Sequence, residues 1–194
     1  MSQLQIVAKG GSILNPVTLG DTIHQGQLLM ERSATGPRLI IVCGLPGSGK
    51  TTRAKVLESR LRAVRFAPDE WMDVLSVSLY DEEMRGRIEA LQWKLGQELL
   101  GLGLTVIIEW GTWGRAERDA LRLGARALGA AVELHYLAAP PDVLFERIQR
   151  RGMEIPPIER DTVFRWVEMF QAPTPEEMAL FDEPWASDLA FDRE

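Results

Sequence analysis

The sequence contains few of the residues that build disulfide frameworks and zinc sites. Its 194 residues include one cysteine, Cys43, and two histidines, His24 and His135. A single thiol excludes a disulfide framework and a cysteine-based zinc site, so a reducing cytoplasm is the expected location. The two histidines stand apart from other candidate ligands, and we interpret His135, which lies in an apolar stretch, as structural.

Long apolar runs and an excess of positive charge are also missing. No stretch approaches the ~20 apolar residues of a membrane-spanning helix, and the N-terminus lacks the charged start and apolar core of a signal peptide. We therefore expect no membrane partner. The net charge of −6 argues against a dedicated nucleic-acid-binding protein, although a local basic patch is compatible with it.

The composition is typical of one folded domain with an added N-terminal segment. Hydrophobic residues make up 45% of the chain and charged residues 26%, which is enough for a substantial core at this length. Residues 1–37 are rich in glycine and proline, and we predict an N-terminal extension there, with a short strand pair around residues 17–29. Residues 38–194 form the second predicted unit.

Apolar runs and helical periodicity alternate from residue 38 onward. The segment Arg38–Cys43 is almost entirely apolar, as expected for a parallel strand that is covered on both faces. Apolar residues at spacings of three and four predict a long helix over residues 81–101, with Asp81 as its N-cap. The alternation predicts a parallel sheet with helices on both faces, in the α/β class. The other predicted strands cover residues 63–67, 104–108 and 131–137, and the other predicted helices cover residues 51–61, 115–128, 141–151, 161–171 and a last turn opened by a capping box at Thr174.

A phosphate-binding motif joins the first predicted strand to the first predicted helix. Residues 44–51 read GLPGSGKT and satisfy the Walker A pattern G-x-x-x-x-G-K-[ST] in full. In this motif Lys50 binds the β- and γ-phosphates and the Thr51 hydroxyl binds Mg²⁺, so ATP and Mg²⁺ are the expected cofactors. The position between a strand and a helix argues against a chance glycine-rich turn, but a P-loop alone does not identify a reaction. The predicted nucleotide-binding residues are Gly44, Leu45, Pro46, Gly47, Ser48, Gly49, Lys50, Thr51 and Thr52.

Asp69 follows the second predicted strand and is a candidate catalytic base. Pro68 disfavours helix at Ala67, so the strand should stop there and Asp69 should open the next helix. Parallel α/β sheets bind ligands at this edge, where a carboxylate can accept the proton of an attacking hydroxyl. The alternative is a simple helix-capping aspartate.

Glu109 follows four apolar residues at the end of the third predicted strand, which is the form of a Walker B segment. Its carboxylate is a candidate for the Mg²⁺ shell, although most such segments carry aspartate. The alternative is an acid that pairs with a neighbouring arginine.

Tryptophans cluster around these acids. Trp110 and Trp113 lie in a loop with glycines, and Trp71 follows Asp69 by two residues. Such rings at the mouth of a sheet can stack on a flat or sugar-like substrate, so all three are candidate substrate contacts. The alternative for the loop pair is that both rings cover the end of the sheet.

A candidate lid follows the fourth predicted strand. Arg147, Arg150 and Arg151 lie at positions i, i+3 and i+4 of one helix, and a glycine- and proline-containing turn comes next. Arginines on a lid can neutralise the charge that develops during phosphoryl transfer, which makes Arg147 and Arg151 candidate catalytic residues and Arg150 a candidate nucleotide contact. We place this lid around residues 147–160. A solvated basic face is the alternative.

Taken together, residues 38–171 resemble the small P-loop kinases grouped with the phage-type polynucleotide kinase domain, chloramphenicol phosphotransferase and the zeta-toxin kinases. The resemblance implies a three-layer α/β/α fold with five parallel strands in the order 2-3-1-4-5, the fifth around residues 188–191. It also implies that Asp69 is the general base and that Arg147 and Arg151 face the phosphates.

Two departures from that group bear on the acceptor. The polynucleotide kinase has an arginine shortly after the base, but Trp71, Met72 and Asp73 provide no cation here. Residues 110–113 also replace a more polar loop. Both differences favour a smaller and partly apolar acceptor.

The sequence therefore predicts a kinase that transfers the γ-phosphoryl group of ATP to a hydroxyl of a small molecule, such as an antibiotic, a sugar, a nucleoside or a nucleotide sugar. A polynucleotide 5′-hydroxyl kinase is the first alternative. A nucleotide-dependent regulatory ATPase or switch is the second, and Asp69 with the lid arginines argues against it.

Overall fold

The computed structural model describes residues 36–152 and 156–184. Within this part of the chain, four strands form one parallel sheet in the order β2-β3-β1-β4. The central strand β1 pairs with β3 from Arg38 beside Thr105, and with β4 from Arg38 beside Ala131. The strands are β1 (Arg38–Cys43), β2 (Val64–Phe66), β3 (Thr105–Ile108) and β4 (Ala131–Tyr136).

Helices connect successive strands and cover the sheet, as the alternating pattern predicts. The long helix α3 begins where expected, because the Asp81 side chain accepts a hydrogen bond from the Met84 N–H and caps it. The described helices are α1 (Lys50–Leu61), α2 (Pro68–Val74), α3 (Glu82–Gly101), α4 (Arg115–Ala127), α5 (Pro141–Arg151), α6 (Arg160–Met169) and α7 (Pro175–Met178). None of these helices is both long enough and apolar enough to span a bilayer.

The sheet is buried on both faces, which confirms the predicted three-layer α/β/α architecture. Alternate residues of β1 belong to two different core clusters, so Leu39 and Ile41 pack on one face while Ile40 and Val42 pack on the other. All four are fully buried. This explains why β1 is a continuous apolar run rather than an alternating one.

A third apolar cluster attaches the helices α5 and α6 to the start of the phosphate loop. Its buried members are Leu45, Leu144, Ile148 and Val163. The close approach is visible at Gly47, where an added Cβ would lie 2.8 Å from the Leu144 carbonyl oxygen. A side chain at this position would therefore push α5 away from the loop.

Three local predictions differ from the structure. Helix α2 begins at Pro68 and not at Asp69, because the fixed φ of proline suits the first helical turn. Helix α6 ends at Met169, before the predicted residue 171, because the Gln171 N–H bonds to the Trp113 carbonyl oxygen. The predicted capping box is half formed: Thr174 caps the Glu177 N–H, but the Glu177 side chain does not return to it.

The N-terminal extension with its strand pair, the middle of the predicted lid turn at residues 153–155, and the predicted fifth strand around residues 188–191 lie outside the described residues.

Candidate active site

The phosphate loop curls because its glycines adopt backbone angles that other residues rarely reach. Gly47 and Gly49 have φ values of 81° and 103°. At Gly44 an added Cβ would lie 2.8 Å from the Ser48 Oγ, inside the loop. The Ser48 Oγ is buried and has no hydrogen-bond partner among the described residues. The loop thus forms a narrow backbone cradle that contains an unpaired hydroxyl and lies at the N-terminal end of α1. Such a cradle suits the phosphates of a nucleotide.

Lys50 lies within electrostatic range of three other predicted site residues. Its Nζ donates to the Leu45 carbonyl oxygen at 3.2 Å. Burial lowers the pKa of Lys50, the nearby carboxylates of Glu109 and Asp69 oppose that shift, and the Arg151 guanidinium adds to it. The structure thus brings Lys50, Asp69, Glu109 and Arg151 within electrostatic range of one another, although they come from four separate segments.

Thr51 and Glu109 make direct contact across the site. The Thr51 hydroxyl donates to Glu109 Oε1. Since hydroxyl and carboxylate oxygens are the ligands that Mg²⁺ prefers, this pair fits the metal that the sequence predicts. Thr51 and Glu109 would hold such an ion, which would supply positive charge to neutralise the phosphates of a bound nucleotide.

Arg65 holds the other side of Glu109, and the sequence interpretation did not identify it. Its Nη1 lies 2.7 Å from Glu109 Oε2, its Nη2 lies 2.7 Å from Glu70 Oε2, and its Nε lies 2.9 Å from Glu58 Oε2. The Arg65 side chain is 6% exposed. Glu109 therefore both contacts the hydroxyl of Thr51 and pairs with an arginine, so the two interpretations of this acid are compatible.

Asp69 is paired with Arg85 and does not cap a helix. Its Oδ1 accepts from Arg85 Nη2 at 2.7 Å. Ala67 occupies the N-cap position of α2, with no side-chain capping bond. The capping interpretation of Asp69 is thus wrong, because its carboxylate turns to α3. Through this ion pair Arg85 places a cation beside Asp69. The residues that directly follow Asp69 in the sequence provide none.

Glu89 lies one turn beyond Arg85 on α3. The pKa of Glu89 is raised to about 7, chiefly by burial. The Arg85 guanidinium opposes this rise, and the carboxylates of Glu117, Glu82 and Asp69 contribute to it. Nothing in its sequence context marked Glu89, because the shift depends mainly on burial and partly on Glu117 and Asp69, which lie on other helices.

The three candidate substrate tryptophans are half-buried, and each packs against the core. Trp71 lies edge-on to Phe66 at 6.1 Å between ring centroids, and Trp113 lies edge-on to Trp166 at 6.1 Å. Trp110 Nε1 donates to Gln92 Oε1 at 2.9 Å. These contacts fix the rings in place, and the role of the rings in substrate stacking stays a prediction.

A buried arginine fixes the loop that carries Trp113. Arg118 donates to the carbonyl oxygens of Thr112 and Gln171 and forms an ion pair with Glu177 at 2.7 Å. Neither Arg118 nor Glu177 is more than 1% exposed. This pairing explains why Glu177 does not complete the capping box, and it ties the loop to the segment after α6.

The lid arginines differ in their positions. Arg147 Nη1 donates to the Gly47 carbonyl oxygen at 3.2 Å, so this side chain already contacts the phosphate loop. Arg151 lies close enough to lower the pKa of Lys50. Arg150 is exposed on the last turn of α5, and Thr52 is exposed on the first turn of α1.

Comparisons with known proteins agree with this architecture. The model of a family described as an AAA domain matches residues 39–173. No curated protein matches the sequence.

Similar solved structures include a sugar kinase from Janibacter sp. HTCC2649, at a TM-score of 0.54 and 22% identity over 73% of this chain and 82% of that one. Kti12 from Chaetomium thermophilum, in complex with ADP-AlF3, matches at a TM-score of 0.56 and 24% identity over 78% of this chain and 92% of that one. A chain of the Pnkp1/Rnl/Hen1 RNA repair complex matches at a TM-score of 0.59 and 22% identity over 76% of this chain and 47% of that one. The chain belongs to the AAA-domain family and has the P-loop kinase-like fold.

Proposed function

We propose that the chain is an ATP- and Mg²⁺-dependent phosphotransferase that moves the γ-phosphoryl group onto a hydroxyl of a small molecule. The observation that carries this proposal is that two carboxylates, Glu109 and Asp69, and the lid guanidinium of Arg151 all lie within electrostatic range of Lys50. A nucleotide switch needs Glu109 to hold its metal, whereas Asp69 has a role only when a hydroxyl attacks the γ-phosphate.

The residues divide between the two substrates. Lys50 and the backbone of the phosphate loop hold the nucleotide, and Thr51 with Glu109 holds the metal. Asp69 is two-thirds exposed, so its carboxylate is open to an incoming acceptor, and Arg85 fixes its direction. Asp69 accepts the proton of the acceptor hydroxyl, and Arg147 and Arg151 neutralise the transferring group.

A polynucleotide 5′-hydroxyl kinase is the second candidate, since one observation favours it. Arg85 places a cation beside Asp69, and the sequence argument against this activity rested partly on the lack of such a cation. The RNA repair complex among the similar structures makes the comparison relevant. The net charge of −6 still argues for the small acceptor.

The test is a transfer assay with γ-labelled ATP and Mg²⁺, using small hydroxyl compounds and a 5′-hydroxyl oligonucleotide as acceptors. Asp69→Asn is compared with Asp73→Asn, a matched change at an exposed position of the same helix. We expect transfer to a small compound that is lost in Asp69→Asn alone. Tight oligonucleotide binding that falls steeply with salt would instead establish the second candidate. ATP hydrolysis without transfer, equal in both variants, would establish a regulatory ATPase.

A further inference from the structure

A polar stripe runs along one face of α3, beginning at the proposed catalytic base. Arg85, Glu89 and Gln92 occupy positions i, i+4 and i+7, so they share a face of the helix. The Arg85 and Glu89 side chains are 22% and 27% exposed, and Gln92 is fully buried. The stripe therefore descends from the open carboxylate of Asp69 into the protein.

The inner end of this stripe has an unused hydrogen-bond donor. Gln92 Oε1 accepts from Trp110 Nε1 at 2.9 Å, which fixes the orientation of the amide. Gln92 Nε2 is buried and has no partner within residues 36–152 and 156–184. The same holds for the Thr112 hydroxyl, two residues after Trp110. Buried polar groups are nearly always hydrogen-bonded in folded proteins, so the unpaired amide donor of Gln92, beside Trp110, indicates a partner that the described residues do not supply.

The charge around the stripe is mainly negative. Glu89 lies within electrostatic range of the carboxylates of Glu117, Glu82 and Asp69, and Arg85 is the neighbouring cation. Arg85 is already engaged, at 2.7 Å from Asp69 and 3.9 Å from Glu89. An anionic group entering this space meets more repulsion than attraction, whereas a neutral or cationic group does not.

We propose that Arg85, Glu89, Gln92 and Trp110 form the acceptor-binding subsite, and that it takes a neutral or cationic polyhydroxylated molecule and disfavours an anionic one. This inference rests on the proposed phosphotransferase activity, whose acceptor it defines. Hydroxyl groups both donate and accept, so one sugar-like molecule can satisfy the Gln92 amide and the Glu89 carboxyl together. Trp110 then lies against the apolar face of the same molecule.

The test uses three pyranoses that differ in charge: D-glucosamine, D-glucose and D-glucuronate. Each is titrated into the full chain, and the indole N–H signal of Trp110 is followed by NMR after assignment with Trp110→Phe. We expect glucosamine and glucose to move the signal at concentrations about tenfold lower than glucuronate does. Glu89→Gln should remove the preference for glucosamine over glucose, and Glu83→Gln, at an exposed position on the first turn of the same helix, should leave it unchanged.

Two outcomes would overturn the inference. Glucuronate could bind as well as glucosamine does, or none of the three could move the Trp110 signal. Gln92→Leu should weaken the binding of all three sugars equally. If that variant does not fold, Glu89→Gln decides the question, because it preserves the shape of the side chain. ATP binding is measured by calorimetry on the same samples. If the parent protein does not bind ATP, the proposed function is refuted. If it binds ATP but prefers glucuronate to the other two sugars, the subsite alone is refuted.

Discussion

Asp69 and Arg85 form an ion pair at the edge of the sheet, with 2.7 Å between Asp69 Oδ1 and Arg85 Nη2, although 16 residues separate them in the chain. Arg85 also donates to the Leu79 carbonyl oxygen, so it is held on two sides. The carboxylate that we propose as the base therefore has a fixed direction while remaining open to solvent. The stretch directly after Asp69 provides no cation, as the sequence shows, and Arg85 on α3 supplies one from a distant part of the chain.

The first prediction concerns Asp69→Asn. We expect normal ATP·Mg²⁺ affinity and phosphoryl transfer slowed by at least ~100-fold, since the amide cannot take a proton. Stability should change little, because Asp69 caps no helix and its ion pair is exposed. Calorimetry measures the affinity and labelled ATP measures transfer, with Asp73→Asn as the control. Unchanged transfer would refute the assignment of Asp69 as base, and loss of ATP binding would place Asp69 in the metal site.

The sequence predicts those parts of the fold that depend on neighbouring residues. The phosphate loop is recognisable because its glycines and Lys50 act within one short segment. The strand β1 is recognisable because both of its faces are apolar. The sheet order came from the resemblance to known kinases, and the order of the four described strands agrees with it.

The parts that sequence did not predict depend on partners that are distant in the chain. Arg65 belongs to the site because it pairs with Glu109, which is 44 residues away in the chain. Glu177 pairs with Arg118, 59 residues away, and so leaves the local capping box. The pKa of Glu89 is set by burial, by Arg85 and Glu82 on its own helix, and by the carboxylates of Glu117 and Asp69 on other helices. Periodicity and motif spacing carry no information on such pairings.

The second prediction concerns Lys50→Ala, which should abolish phosphoryl transfer in a folded protein. Lys50 makes one described hydrogen bond, to its own loop, and burial disfavours its charge, so removing it should not cost stability. Circular dichroism checks the fold and labelled ATP checks transfer. The control is Lys55→Ala on the exposed side of the same helix. Transfer at the parental rate would contradict the prediction.

The third prediction concerns the lid. Arg147→Ala and Arg151→Ala should each lower kcat far more than they lower ATP affinity, because their interaction strengthens as charge develops on the transferring group. Arg165→Ala, an exposed arginine on α6, is the control. Steady-state kinetics and ATP calorimetry measure the two effects. Equal losses in kcat and affinity would mean that these arginines bind the ground state and transition state alike.

The fourth prediction concerns Arg65→Met. This change leaves Glu109, whose side chain is 6% exposed, without its ion-pair partner. We expect a loss of about 3 kcal/mol in the free energy of unfolding, because an unpaired buried charge is costly. Urea unfolding measures it. The double variant Arg65→Met with Glu109→Gln should regain part of the loss, and strictly additive effects would show that the two side chains are not coupled.

The fifth prediction concerns the pH dependence of stability at Glu89. Burial raises the pKa of this carboxyl from 4.5 to about 7 in the folded protein. Between these values the folded state holds a proton that the unfolded state has released, so the free energy of unfolding falls as pH rises. The stabilising contribution is therefore complete below pH 4.5 and lost above about pH 7. Glu89→Gln cannot ionise, so its stability relative to the parent should increase across this window by on the order of 1–3 kcal/mol and then level off. Urea unfolding of both proteins at several pH values tests this, with Glu83→Gln as the exposed control. A constant difference between parent and variant across the window would show that Glu89 is already ionised in the folded protein at low pH, and that burial does not hold its proton.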